Sequence, residues 1–461
     1  MNVKKNYIVF VAALQALFFS TAHAQEEAVL IDKYERQFGY LDSLFFIPAG
    51  KKLPYKEESP EKAHGTAWEI MSEEYACVER TLHEKELAEI SLVRSATGLR
   101  FSGDTYRRFN SGDRTVRDED GASSGYDMKY QAGINWSPLQ SGLFRRGSKT
   151  REIFLEKQIA SSASRSSLLQ GLVRSMKEKV EYKYASLLRG VLLIHLSNLS
   201  LLEETGSLLV SEGRSSSDKM FGILEDKAEI GRSLSLIPSG TLPVLDFREA
   251  GKGAVLEVDT AGLFACFRRT NAELCGLSFR DSLLALKVRC TDYWEEIDIS
   301  PYIRYSAYTR KTGTQPSNLD AGLSVRIPLS AESGRKRRVL EAERRLLGFE
   351  QERVLRTGEQ EIQRLLERLE SLNRSVRLER ERLSAYIGLL AQRRNAYGEM
   401  CGEYSRPDRI KEYNACLSVL ETLLSLRRER ELLVADLQGF LPETPISEFV
   451  REKDTENGNE P

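Results

Sequence analysis

The side chains of this 461-residue chain that could carry metal, redox or acid–base chemistry are six cysteines, four histidines and 68 carboxylates. Their spacing assembles none of it. No cysteine pair has a CxxC spacing, and His23, His64, His83 and His195 are scattered with no cysteine at ligand distance, so neither redox nor zinc chemistry has support. Carboxylates abound, but none stands isolated among apolar residues where desolvation would tune it for proton transfer. The expectation is a protein that is not an enzyme, with no catalytic residue, no cofactor and no metal. The net charge of -1, from 67 basic and 68 acidic residues, also argues against nucleic acid as a partner.

The residues that recur in a pattern do a different job. Gly213, Ser216 and Asp218 are matched, 189 or 190 residues later, by Gly402, Ser405 and Asp408. Glycine permits the backbone conformation that ends a helix, and serine or aspartate caps the next one, so these sets predict two sharp helix-to-helix turns.

Long helices must flank such turns. Gly334 to Ala396 is an unbroken charged and leucine-rich segment whose apolar residues recur at three- and four-residue spacings; as a helix it is about 90 Å long. Residues 148–209 predict a second rod of similar length, and shorter return helices are expected over 216–236 and 408–438.

Ahead of each rod the period changes to two. Ser124 to Leu139 alternates, with Met128, Ile134 and Trp136 on one face against Lys129, Gln131 and Asn135 on the other; Leu319 to Leu329 places Leu323, Val325 and Ile327 on one face. Hairpins over 96–139 and 298–329 follow. Their strands are long enough for a tilted bilayer crossing of about 9–11 residues, and the six apolar residues just named are the candidates to face lipid.

The two halves therefore repeat: helix, hairpin, Pro-Leu turn (Pro138-Leu139 and Pro328-Leu329, 190 residues apart), long helix, break, return helix. The expected organisation is a signal peptide over 1–24, an irregular N-terminal arm over 25–66, a first repeat over 67–237, a linker over 238–256, a second repeat over 257–438 with its first helix interrupted near Gly276, and a tail over 439–461. Lys4 and Lys5 before an apolar run, with Ala22-His23-Ala24 ahead of Gln25, carry the signal-peptide reading. In an exported chain disulfides are permitted, and Cys266, Cys275 and Cys290 lie close in sequence, as do Cys401 and Cys416. Beyond the signal, no run approaches the roughly 20 apolar residues of a membrane helix, so membrane contact is expected from strands.

The duplicated hairpin, with Gly322-Leu323-Ser324-Val325-Arg326-Ile327-Pro328-Leu329 leading through Gly334-Arg335 into the long helix, and the paired breaks resemble the outer membrane efflux protein family, the TolC-like channels. The resemblance implies a mainly α fold with membrane β: a homotrimer with a 12-strand β-barrel, four strands per chain, continued by a long periplasmic α-helical barrel. It implies residence in the outer membrane, contact with its lipid, and passive conduction of substrate from an inner-membrane pump or ABC exporter through a periplasmic adaptor (membrane fusion) protein, as in tripartite efflux or type I secretion. The two breaks then become the periplasmic tips where adaptor contacts are made. The rival reading from the residues alone is a soluble periplasmic or secreted coiled-coil scaffold.

Overall fold

The computed structural model describes residues 29–46, 60–107, 116–117, 123–124, 128–137, 146–214, 217–238, 255–291, 297–309, 317–327, 332–397 and 406–453. The signal segment, Ser216, Gly402 and Ser405 lie outside them. In chain order the elements are α1 (residues 29–46), α2 (Pro60–Ser95), β1 (Leu99–Arg107), β2 (Val116–Arg117), β3 (Ser123–Ser124), β4 (Met128–Trp136), α3 (Arg146–Ser211), α4 (Ser217–Ser235), β5 (Val255–Val258), α5 (Thr260–Thr270), α6 (Ala272–Cys290), β6 (Asp298–Thr309), β7 (Ser317–Arg326), α7 (Glu332–Tyr397), α8 (Arg406–Gln438), a 3-10 turn (Ile446–Glu448) and β8 (Val450–Lys453).

The two rods, α3 and α7, have 66 residues each, about 100 Å of helix. Their charged faces are laced by pairs three and four residues apart, such as Arg337–Glu341 and Arg377–Glu381, which favour helix while leaving the surface wet. The apolar stripes meet in one long core. Val180, Tyr184, Leu199 and Leu202 of α3 pack with Val376, Leu383 and Leu390 of α7 and with Ile410, Tyr413, Leu417 and Leu420 of α8.

β1, β4, β6 and β7 form one antiparallel sheet in that order, so the two hairpins join through β4 and β6. Below it the helices keep the same lateral order, with α2 on α3, α3 on α6 and α6 on α7.

Several sequence expectations are corrected. Residues 29–46 are helical, not an irregular arm: Leu30, Tyr34, Phe38 and Leu41 recur on one face and are buried in the main core, a period that the aromatics and Gly39 obscured. The second repeat's first helix breaks at Asn271 instead of near Gly276. The Asn271 side chain accepts hydrogen bonds from the Glu273 and Leu274 N–H groups and so caps α6, while Gly276 sits inside the helix with Ser162 beside it. The second strand of the first hairpin ends at Trp136, before Ser137, and α2 begins at Pro60, ahead of the expected start of the first repeat at 67. Within the tail β8 pairs with β5; neither four-residue strand is long enough to show a period.

The described cysteines, Cys77, Cys266, Cys275, Cys290 and Cys416, are free thiols. Cys266 contacts the hydroxyls of Thr270 and Thr444, and Cys416 is sealed in the core, where burial pushes its thiol up to about 12. One window of α3 does pass the length and composition of a membrane helix, contrary to the expectation of none. Its surroundings explain the composition: the apolar half of α3 is the side packed on α1, α4 and α8, and it carries the buried polar residues His195 and Asn198, bonded to Glu421 and Asn414.

Candidate functional site

Two regions hold the residues singled out by the sequence. The first is the four-stranded sheet, whose strand period sorts side chains cleanly. On one face lie Leu99 and Phe101 of β1, Ile134 and Trp136 of β4, Ile303 and Tyr305 of β6, and Leu319, Leu323 and Val325 of β7. All are exposed, Phe101 at 78% and Leu319 at 71%. Of the six candidates for lipid contact, Ile134, Trp136, Leu323 and Val325 stand here and Ile327 is exposed just past the strand; Met128, in the same register, is half-buried. Trp136 is fixed at the rim by its indole N–H, which donates to the Thr97 carbonyl at 3.1 Å.

The opposite face is polar. Arg100, Asp104, Gln131, Asn135, Arg304, Asn318 and Asp320 alternate with the apolar set, and the Gln131 amide donates to Ser306 at 3.2 Å across the β4–β6 seam. Tyr302 lies flat across Gly322, its ring filling the volume a side chain there would take, and the Arg304 guanidinium stacks over the same ring at 5.3 Å. The sheet thus has one apolar and one polar face, and β1 and β7 are both unpaired on their outer sides among the described residues.

The second region is the helical tip. Gly213 has φ +71, and its N–H reaches the Val210 carbonyl while the Arg214 N–H reaches Leu209, closing α3 with the paired bonds of a left-handed glycine cap. Asp218 and Asp408 sit in the first turns of α4 and α8. Gly206 lets the two arms of the first tip close, because the Met220 sulfur occupies the space of a Cβ there.

The structure adds a cluster that the sequence did not flag. Asp42 of α1 accepts both Arg409 Nη2 contacts, at 3.0 and 3.2 Å, and the Tyr413 hydroxyl, with Arg394 at 3.8 Å. Arg409 also stacks on Phe38 at 4.2 Å. Burial, then the bond to Asp42, pushes the Tyr413 hydroxyl's pKa up, so it stays a donor. Beside it Gln37 donates to Asn198, whose amide donates to Asn414. Partners some 370 residues apart leave no local signature in sequence. Among the described residues no group of His, Cys, Asp and Glu could hold a metal.

This fold superposes on those of solved structures. CmeC of Campylobacter jejuni, an outer membrane channel, superposes with TM-score 0.57 at 10% identity, over 88% of this chain and 93% of that one. The chain has the TolC-like channel fold. VceC of Vibrio cholerae, an outer membrane protein, gives TM-score 0.56 at 14% identity, over 82% and 96% of the two chains. CusC, described as forming a transmembrane channel, gives 0.54 at 11%, over 86% and 96%. No family model and no curated protein matches the sequence. The architecture is thus shared at 10–14% identity. The expectations for the rods and the hairpin pair agree with it.

Proposed function

We propose that this chain is a subunit of an outer-membrane channel that conducts substrate passively from the periplasm to the exterior. The carrying observation is the sheet: apolar and exposed on one face, polar on the other, with both edge strands open among the described residues. In lipid each backbone donor must be paired, and four strands cannot close alone, since the smallest closed membrane barrels need about 8. Closure requires further copies, and three would supply 12 strands, the homotrimer that the fold family suggests. The apolar face, including Ile134, Trp136, Leu323, Val325 and Ile327, would meet outer-membrane lipid, and the Arg304 face would line the pore.

In this reading the long helices continue the pore as a periplasmic α-barrel. The tips at Gly213 to Asp218 and Gly402 to Asp408 would contact a periplasmic adaptor, with an inner-membrane pump or ABC exporter supplying substrate. Selectivity would reside in those partners. The test is fractionation and reconstitution of the full chain: detergent-dependent extraction from outer membranes as a three-chain particle, and stepwise conductance in planar bilayers, are expected. Full recovery in the soluble fraction without detergent would overturn the channel and favour the scaffold.

A further inference from the structure

The helix that precedes each repeat's hairpin helix is used in two different ways. α5, ahead of α6, packs on the middle of α7, in a core with Ile362 and Leu369. α1, ahead of α2, packs instead at the far end of the rods. Tyr34 bonds Thr205, about 12 Å of helix short of Gly213, and Glu35 pairs with Arg406, where α8 begins. The duplication therefore does not account for α1, and its place calls for a reason of its own.

The tip consists of two helix pairs, α3 with α4 and α7 with α8. Each is tied by its own ion pairs, Glu203–Lys227 in the first and Glu429–Arg368 and Glu412–Arg393 in the second. Where the pairs meet, along α3 and α8, the leucines are interrupted by polar contacts: Asn198 donates to Asn414 at 2.7 Å, and His195 Nδ1 lies 2.9 Å from Glu421. A buried amide layer fixes register at a cost in holding strength, so this seam is the line along which the pairs part most easily. α1 lies across it. On the first pair it holds α3 through Lys33–Glu204, Tyr34–Thr205 and Gln37–Asn198, at 2.5, 2.7 and 2.7 Å. On the second it holds α8 through Glu35–Arg406 and Asp42–Arg409, and α7 through Arg394, which reaches Asp42 at 3.8 Å and stacks on Phe46 at 5.3 Å. Three arginines of the second pair thus converge on two carboxylates of one helix.

We propose that α1 is a latch on the tip. Attached, it holds the two helix pairs of a chain together and keeps the passage narrow; released, it lets α7 and α8 move away from α3 and widens it. The proposal rests on the channel reading and adds a control element to it. The hold on the second pair is carried by Glu35 and Asp42, so a change of charge there should free α7 and α8 while the rods and the sheet stay intact.

The test is single-channel recording of the full-length protein in planar bilayers, with one switchable variant: Asp42→Lys, which repels Arg394 and Arg409, together with Glu35→Cys and Arg406→Cys, and with Cys77→Ser to remove the exposed native thiol. With its thiols reduced, this variant is expected to show raised hydrogen exchange over 29–46 and an open fraction several-fold above the parent's. Joining the two new cysteines with a bis-methanethiosulfonate should refasten α1 to α8 and return the open fraction to the parent's, and reductant should raise it again. Where the lysine prevents assembly, Asp42→Asn takes its place. Raised exchange with a conductance that matches the parent's and ignores the crosslink overturns the latch and leaves the channel reading standing. Unchanged exchange over 29–46 also overturns it, because the hold is then not by charge. A parent and variant that both fail to conduct overturn the channel reading as well.

Discussion

The Phe267 ring is pressed against the backbone of α7 at Gly358, where it occupies the space of a side chain. Phe267 is itself 1% exposed and packs edge-on to Phe440 at 5.9 Å, so the ring has nowhere to retreat. This contact seats α5 and the β5–β8 pair on the middle of the second rod. Gly358→Ala should overpack the junction and cost about 1–3 kcal/mol, read as a lower thermal midpoint. An equal substitution at Gly348, which meets nothing within 4 Å, is expected to leave the midpoint unchanged or raise it.

Removing the α1 carboxylate should free the N-terminal helix. Asp42→Ala leaves Arg409, whose side chain is 9% exposed, without its carboxylate, and the Tyr413 hydroxyl without its acceptor. Stranding such groups costs about 1–3 kcal/mol. Hydrogen exchange should rise across 29–46 and the start of α8 while β1 and β4 keep their protection. Unchanged protection of α1 would show that Leu30, Tyr34, Phe38 and Leu41 hold it without the charge cluster.

What the sequence made legible follows from how far each signal reaches. The rods were readable because leucines at helical spacing and their i,i+4 charge pairs are local, and the strands because alternation is local. The tip at Gly213 was readable because a glycine before a new run of helix formers is a local mark. α1 was not, since aromatics and Gly39 interrupt the leucines of its apolar face. The Asp42–Arg409 cluster, the Gly358–Phe267 contact and the β5–β8 pairing join residues far apart in the chain, and only the folded arrangement makes them neighbours.

Acid should loosen α2 from α3. Burial pushes the Glu79 carboxyl up, but hydrogen bonds from Ser161 and Tyr75, with Lys157 and Arg165 nearby, outweigh it and hold it below the usual range. Glu86 behaves alike, with burial opposed by His83 and Lys157. A carboxylate whose folded pKa is lowered contributes stability that is present above its unfolded value near 4.5 and is lost as pH falls through the lower folded value. Protease sensitivity of α2 should therefore increase below about pH 4.5. A Glu79→Gln, Glu86→Gln double variant should show the looser behaviour already at neutral pH and little further change on acidification.

The two faces of the sheet should respond oppositely to the same charge. Leu323 and Ile134 stand exposed on the apolar face, and Asn318 and Gln131 on the polar one. If the apolar face meets hydrocarbon, an arginine there costs roughly 2–4 kcal/mol at mid-depth, and less toward the interface. Leu323→Arg and Ile134→Arg should then reduce the amount of assembled protein in the outer membrane. Asn318→Arg, on the polar face, should assemble normally and, if that face lines the proposed pore, shift single-channel conductance or ion preference. The comparison isolates the environment, since the same guanidinium is added to one sheet each time. Equal assembly of all three variants would mean that neither face sees lipid, and the open edges of β1 and β7 would then need a partner in water.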